Sequence, residues 1–67
     1  MKYDKRAIKR VLTEKGMTVI ALSEQTGLTR AALYMIARGA VTPKATTLAR
    51  IASALEVPIE RFFKRAA

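Results

Sequence analysis

The chain has 67 residues, of which 13 are Lys or Arg and 5 are Asp or Glu, so its formal charge is +8. One domain is the most that this length supports, because a single core needs roughly 70–80 residues to sustain itself comfortably. The sequence contains no His and no Cys, which excludes disulfides, thiolate nucleophiles, imidazole bases and zinc sites built from these residues.

The composition predicts a small folded binding protein. A hydrophobic share of 51% favours a packed core over a disordered basic tail, and the strong positive charge favours a polyanionic partner. The five carboxylates form no evident pair on a helix face that would suit acid–base catalysis. We therefore expect no enzymatic activity, no cofactor and no metal site.

The N-terminal sequence does not resemble a signal peptide, since charged residues follow Met1 directly and no apolar stretch comes after them. A nearby apolar run, Val19–Leu22, is far too short to span a bilayer. These features predict one domain over residues 1–67 in the cytoplasm.

Three glycines and two prolines divide the chain into five blocks, none of which alternates as a strand does. The predicted fold class is therefore all-α, with five short helices. In the first block Asp4 is placed to cap a helix that ends at Gly16. Its apolar positions fall on one face at Ala7, Ile8, Val11 and Leu12.

The next two helices are expected to begin at threonine caps. Thr18 precedes a helix that runs to about Thr26, and Thr29 precedes a helix that ends before Gly39. Residues 45–55 carry apolar side chains at helical spacing. The last block, from Ile59 to about Arg65, is expected to form a short helix or a turn, with Ile59, Phe62 and Phe63 as its apolar anchors.

Residues 18–38 have the spacing of a DNA-binding helix-turn-helix. Two helices joined at a steep angle by a short turn need a residue that tolerates positive φ, and Gly27 meets that need. Ser23 is small enough for the helices to approach each other. The second helix of such a unit enters the DNA major groove with its N-terminal end first.

The chain resembles the Cro and lambda-repressor-like (XRE) helix-turn-helix family from about residue 7 to residue 63. The resemblance is carried by Gly16-Met17-Thr18, Leu22-Ser23, Gly27-Leu28-Thr29-Arg30, Leu33, Ile36, Arg38-Gly39, Pro43 and the run Thr47 to Pro58. The family implies a compact five-helix domain that binds operator DNA, usually as a two-fold dimer, and regulates transcription.

The resemblance also implies site residues. The positions that face the groove are Arg30, Ala31, Tyr34 and Met35. Arginine is the natural bidentate partner of guanine, and small apolar side chains contact the thymine methyl group. The expected phosphate contacts, which set register without reading sequence, are Thr18, Thr29, Arg38 and Lys44.

The sequence departs from the family at the start of the second helix. The family typically has a phosphate-binding Gln there, whereas this chain has Val19, followed by Ile20 and Ala21. Only the backbone N–H groups of that helix end remain for a contact.

A second departure removes a pair of charges. The family often pairs an Arg of the first helix with a Glu of the third, at positions that correspond to Leu12 and Ala37 here. Losing only one partner would leave a buried charge unpaired and destabilise the fold by roughly 3–5 kcal/mol. We therefore expect Leu12 and Ala37 to approach each other in the core.

Charge and apolar residues outside the motif leave alternatives open. Residues 1–15 carry 6 − 2 = +4, residues 16–43 carry 2 − 1 = +1 and residues 44–67 carry 5 − 2 = +3, so the basic residues flank the helix-turn-helix.

Phe62 and Phe63 cannot both enter so small a core. One is expected to pack inward and the other, with Ile59, to form a dimer contact.

The leading functional interpretation is a sequence-specific DNA-binding regulator, a repressor that binds a palindromic operator as a dimer. The alternative is a protein-interaction module on the same fold, such as an antitoxin or an antirepressor partner. The apolar residues Val19–Ala21, Ala31 and Met35 support this alternative, because they make the expected DNA-binding face unusually apolar.

Overall fold

The computed structural model describes residues 2–64, which form four α-helices, one 3-10 helix and a two-stranded sheet. In chain order the elements are β1 (Lys2–Tyr3), α1 (Ala7–Lys15), α2 (Val19–Thr26), α3 (Arg30–Ala37), α4 (Ala45–Leu55), the 3-10 helix (Ile59–Phe62) and β2 (Phe63–Lys64). The first four predicted helices are confirmed.

The fifth predicted α-helix is wrong. Residues 59–62 form a single 3-10 turn and residues 63–64 form the strand β2, which pairs with β1 in antiparallel register, Lys2 opposite Lys64 and Tyr3 opposite Phe63. The predicted end of this helix, at about Arg65, lies outside the described residues. The all-α prediction is therefore correct for the four α-helices but missed the two-stranded sheet. Extended backbone at residues 63–64 lets the end of the described chain hydrogen-bond to its beginning, which a helix would not allow.

A single hydrophobic core joins the helices. α2 packs against α3 and α4, while α1 packs against α3, α4 and the 3-10 helix. Phe62 is fully buried, and burial of a side chain of this size contributes about 2–3 kcal/mol. The buried hydrophobic residues are Ala7, Ile8, Val11, Leu12, Leu22, Leu33, Ile36, Leu48, Ile51, Ala52, Leu55 and Phe62. No helix in residues 2–64 is long and apolar enough to cross a membrane.

Asp4 organises the start of α1, although not as its N-cap. The N-cap is Arg6, and the Asp4 carboxylate accepts a hydrogen bond from the Arg6 backbone N–H at 3.0 Å. Arg10 contacts the other carboxylate oxygen at 3.2 Å. The Arg6 N–H bond, and next to it the Arg10 guanidinium, hold the pKa of Asp4 below its usual value.

The turn between α2 and α3 is fixed by side-chain hydrogen bonds. Gly27 ends α2 with φ of 76°. The Ser23 hydroxyl donates to the Leu28 carbonyl at 2.6 Å, and the Thr26 hydroxyl donates to the Leu22 carbonyl at 2.7 Å. Thr26 Oγ1 also accepts from the Leu28 N–H at 3.2 Å. Backbone groups on both sides of the turn are thereby satisfied.

Leu12 lies in the core as expected, but Ala37 does not. Ala37 is half-buried and lines an open cavity between α1 and the C-terminal end of α3. A methyl group is too short to cover the space beside it, so the position stays at the edge of the core.

Asp4→Asn tests the local electrostatics at the start of α1. The folded-state pKa of Asp4 is lowered, so its charge stabilises the fold above the unfolded-state pKa of about 3.9, and this contribution is lost as the pH falls through the folded-state pKa. We expect the variant to lose about 1 kcal/mol at pH 7. The difference from the parent should stay constant above about pH 5 and shrink below about pH 4.

Chemical denaturation of both proteins between pH 2 and pH 8 measures this difference. Glu24→Gln is the matched control, because Glu24 is exposed and forms no hydrogen bond or ion pair among the described residues. A stability difference between the parent and the Asp4→Asn variant that did not vary with pH would contradict the assignment.

Two substitutions at left-handed helix ends should have opposite effects. Gly27 and Glu56 both have positive φ, 76° and 58°, and a side chain costs about 1 kcal/mol in this region. We expect Gly27→Ala to destabilise the fold by about 1 kcal/mol through the backbone alone, since no atom lies within 4 Å of the added Cβ. Glu56→Gly should gain up to about 1 kcal/mol. Thermal unfolding measures both changes, and a stabilised Gly27→Ala protein would show that the turn does not require positive φ.

Candidate nucleic-acid interface

The helix α3 divides into a buried and an exposed side. Leu33 and Ile36 point into the core. The four predicted base-contacting residues are all exposed, and at 100° per residue they fall within one arc of about 140° on the opposite side, at Arg30, Ala31, Tyr34 and Met35. The structure therefore brings them together on one exposed stripe. Tyr34 is 52% exposed and Met35 38%.

Both helices of the helix-turn-helix begin at the predicted threonine caps. Thr18 Oγ1 accepts from the Ala21 N–H, and Thr29 Oγ1 accepts from the Ala32 N–H, each at 3.1 Å. An accepting hydroxyl keeps its own proton for donation. Each cap can therefore hold its helix and still donate a hydrogen bond to an anion at the helix N-terminus.

The apolar start of α2 has two environments. Val19 is half-buried and packs against the core, whereas Ile20 is 43% exposed. Val19 therefore contributes to packing at the position where the family has a polar side chain. The Ala21 N–H is bonded to the Thr18 hydroxyl, whereas the N–H groups of Val19 and Ile20 have no intrahelical partner, as at every helix start. These two N–H groups remain to bind a phosphate there.

Arg38 and Lys44 lie on either side of the loop that joins α3 to α4. Arg38 ends α3, and its exposed side chain follows the predicted groove-facing stripe. Lys44 precedes α4 and forms no side-chain capping bond. Val41, between them, is 43% exposed.

The predicted dimer residues differ in burial. Phe62 is fully buried, so it is the phenylalanine that packs inward. Phe63 is half-buried, with its ring edge-to-face against Tyr3 at a centroid distance of 6.0 Å. Ile59 is also half-buried against the core. A contact between copies would therefore have only Ile59 and Phe63 available from this set.

Sequence reasoning missed the hydrogen-bonding roles of Ser23 and Thr26. Ser23 was expected only to be small, yet its hydroxyl bonds across the turn. Thr26 was expected only to end the helix, yet it is buried and serves both sides of the turn. Their signal was available, since hydroxyl residues one and four positions before a helix-ending glycine are placed to bond free backbone groups.

In residues 2–64, no group of three or more His, Cys, Asp or Glu side chains is placed to hold a metal ion.

Comparison with known proteins agrees with this geometry. The family model HTH_3, described as Helix-turn-helix, matches residues 8–62. No curated protein shows a significant match to the sequence.

Solved structures share the fold, and two of them match most of this chain. One is the restriction-modification controller protein C.AhdI from Aeromonas hydrophila, with a TM-score of 0.82, 22% identity, and coverage of 88% of this chain and 89% of that chain. The other is an HTH_3 family transcriptional regulator from Vibrio cholerae, with a TM-score of 0.78 and 34% identity. That match covers 84% of this chain but only 32% of the Vibrio chain.

The family model covers most of the chain, including α2, the turn and α3, and the two structural matches cover 88% and 84% of the chain. The chain belongs to the HTH_3 family of helix-turn-helix transcriptional regulators.

Proposed function

We propose that the chain is a sequence-specific DNA-binding repressor that occupies a palindromic operator as a dimer. The observation that carries this proposal is the exposed stripe of α3, which begins at a capped helix N-terminus and lies opposite the buried Leu33 and Ile36. A helix presented in this way fits the major groove, which is about 12 Å wide. Both structural relatives support it, since one is a controller protein and the other is a transcriptional regulator.

In this proposal the stripe reads base edges. Arg30, the first residue of α3, donates two hydrogen bonds to guanine O6 and N7. Ala31 and Met35 contact thymine methyl groups, and Tyr34 donates its hydroxyl proton to a base edge or a phosphate. The reading surface thus combines one charged group with apolar contacts.

Phosphate contacts surround the reading surface. Thr18 and Thr29 donate from the starts of α2 and α3, while Arg38 and Lys44 provide charge from the loop between α3 and α4. These contacts orient the domain on the duplex and carry no sequence information of their own.

A dimer supplies the second half-site. Two α3 helices would enter successive major grooves about 34 Å apart, one helical turn. Ile59 and Phe63 are the proposed contact between copies. Bound in this way, the protein represses by occupying DNA that the transcription machinery needs.

Selection of bound duplexes from a random pool tests the function itself. We expect enrichment of a palindrome whose half-sites are centred about 10 base pairs apart, and a steep loss of affinity as salt is raised. Enrichment of no sequence, together with tight capture of a protein partner, would favour the interaction-module alternative. Of the apolar residues behind that alternative, Ile20 is 43% exposed and Met35 is 38% exposed.

Arg30→Lys tests base reading by α3, because it keeps the charge but removes the planar fork that matches guanine. We expect a loss of about 1–3 kcal/mol on the selected site and relaxed preference at one base pair. Lys44→Gln is the comparison, and it should weaken binding about equally on all sequences. Measured affinities for the selected site and for single-base variants decide the outcome. A uniform loss for Arg30→Lys would make Arg30 a phosphate contact instead.

A further inference from the structure

A basic groove lies between α1 and the C-terminal end of α3, outside the residues assigned above except for Arg38. It has a volume of about 710 Å³, and Ala37 and Gly39 form part of its wall. Its cationic residues are Lys5, Arg6, Lys9, Arg10 and Arg38. A second cavity, of about 540 Å³, shares three of these cations and adds Lys2 and Lys64. The two cavities form one continuous basic surface.

Four cationic residues surround the start of α1. Lys5 and Arg6 directly precede the helix, and Lys9 and Arg10 lie in its first turn. The first turn of α1 contains no acidic residue, although a helix N-terminus favours negative charge.

Acidic groups do not neutralise the groove. Among the described residues, Asp4 is the one carboxylate that lines either cavity, and it is engaged by the Arg6 N–H and the Arg10 side chain. The groove therefore keeps an excess of positive charge, which an anionic ligand would relieve.

The position of the groove relative to Arg30 indicates which anionic ligand it binds. Ala37 and Gly39, at and just beyond the C-terminal end of α3, lie seven and nine residues after Arg30, and seven residues of helix rise by about 10 Å. If Arg30 touches a base edge, this end of α3 lies about one groove width away, at the level of the bordering sugar-phosphate backbone.

We infer that the α1–α3 groove binds backbone phosphates of the same DNA duplex that α3 reads. Lys5 and Lys9 contact the phosphates, and Gly39 lets the chain pass close to Lys5. A Cβ built at Gly39 would lie 3.2 Å from the Lys5 Cβ, so a side chain there would press on Lys5. This inference rests on the proposed DNA-binding function and extends its footprint to α1.

The test compares neutralising variants on the selected duplex and on a random duplex. Lys9→Gln removes one groove charge, and Lys5→Gln with Lys9→Gln removes two while keeping a polar side chain and half of each aliphatic stem. Arg50→Gln is the matched control, since Arg50 is an exposed residue of α4 that lines neither cavity. Thermal unfolding of every variant checks that the fold is retained.

Each lost phosphate contact makes the dependence of log affinity on log salt less steep by about 0.9. Because a dimer carries each groove twice, we expect a change of about 1.8 for Lys9→Gln, about 3.6 for the double variant and none for Arg50→Gln. Affinity should fall by the same factor on both duplexes, so the ratio of specific to random binding stays constant.

The two hypotheses fail differently. A parent protein that binds no duplex with sequence preference would overturn the proposed function. A parent that binds its selected site, with salt dependences for both groove variants equal to those of the parent and of Arg50→Gln, would overturn only the groove. A loss confined to the selected sequence would also overturn it, because phosphates carry no base identity.

Discussion

The turn between α2 and α3 is the constraint on which the candidate DNA-binding surface depends. Gly27 supplies the left-handed backbone, while Ser23 and Thr26 satisfy backbone groups before and after it. These bonds fix the angle at which α3 leaves α2. A buried polar group that lost its partner here would cost about 1–3 kcal/mol. Geometry at this turn therefore determines which side chains of α3 face outward.

Given that angle, the core fixes the rotation of α3 about its own axis. Leu33 and Ile36 are buried, so the arc that begins at Arg30 has to face solvent. Leu33 and Ile36 thus anchor α3 in the core and also determine which side of α3 is exposed. This double role lets a small protein present a rigid recognition helix. The 3-10 helix also stabilises the core that positions α3. Phe62 fills the core beside α1 and α4, and Arg61 bonds Glu14 at 2.7 Å.

Much of the fold was predictable because short-range physics dictates it. Helical spacing in residues 45–55, the threonine caps and the glycine turns act within a few residues, and the structure confirms them. The rest depends on contacts distant in sequence. Two-residue strands are too short to show alternation, so pairing of Tyr3 with Phe63 was not visible. Likewise, Ala37 was expected in the core from the loss of a charge pair, but its final burial depends on how α1 and α3 fit together. For the site, the positions of exposed side chains followed from periodicity, whereas the groove beside α1 required the packed structure.

The central claim is that the exposed stripe of α3 contacts DNA. Backbone amide chemical shifts, recorded while the selected duplex is added to isotope-labelled protein, test this most directly. We expect the largest shift changes to fall in residues 29–35, while the four helices are retained. Largest changes confined to residues 45–64, with α3 unaffected and the duplex bound, would contradict it.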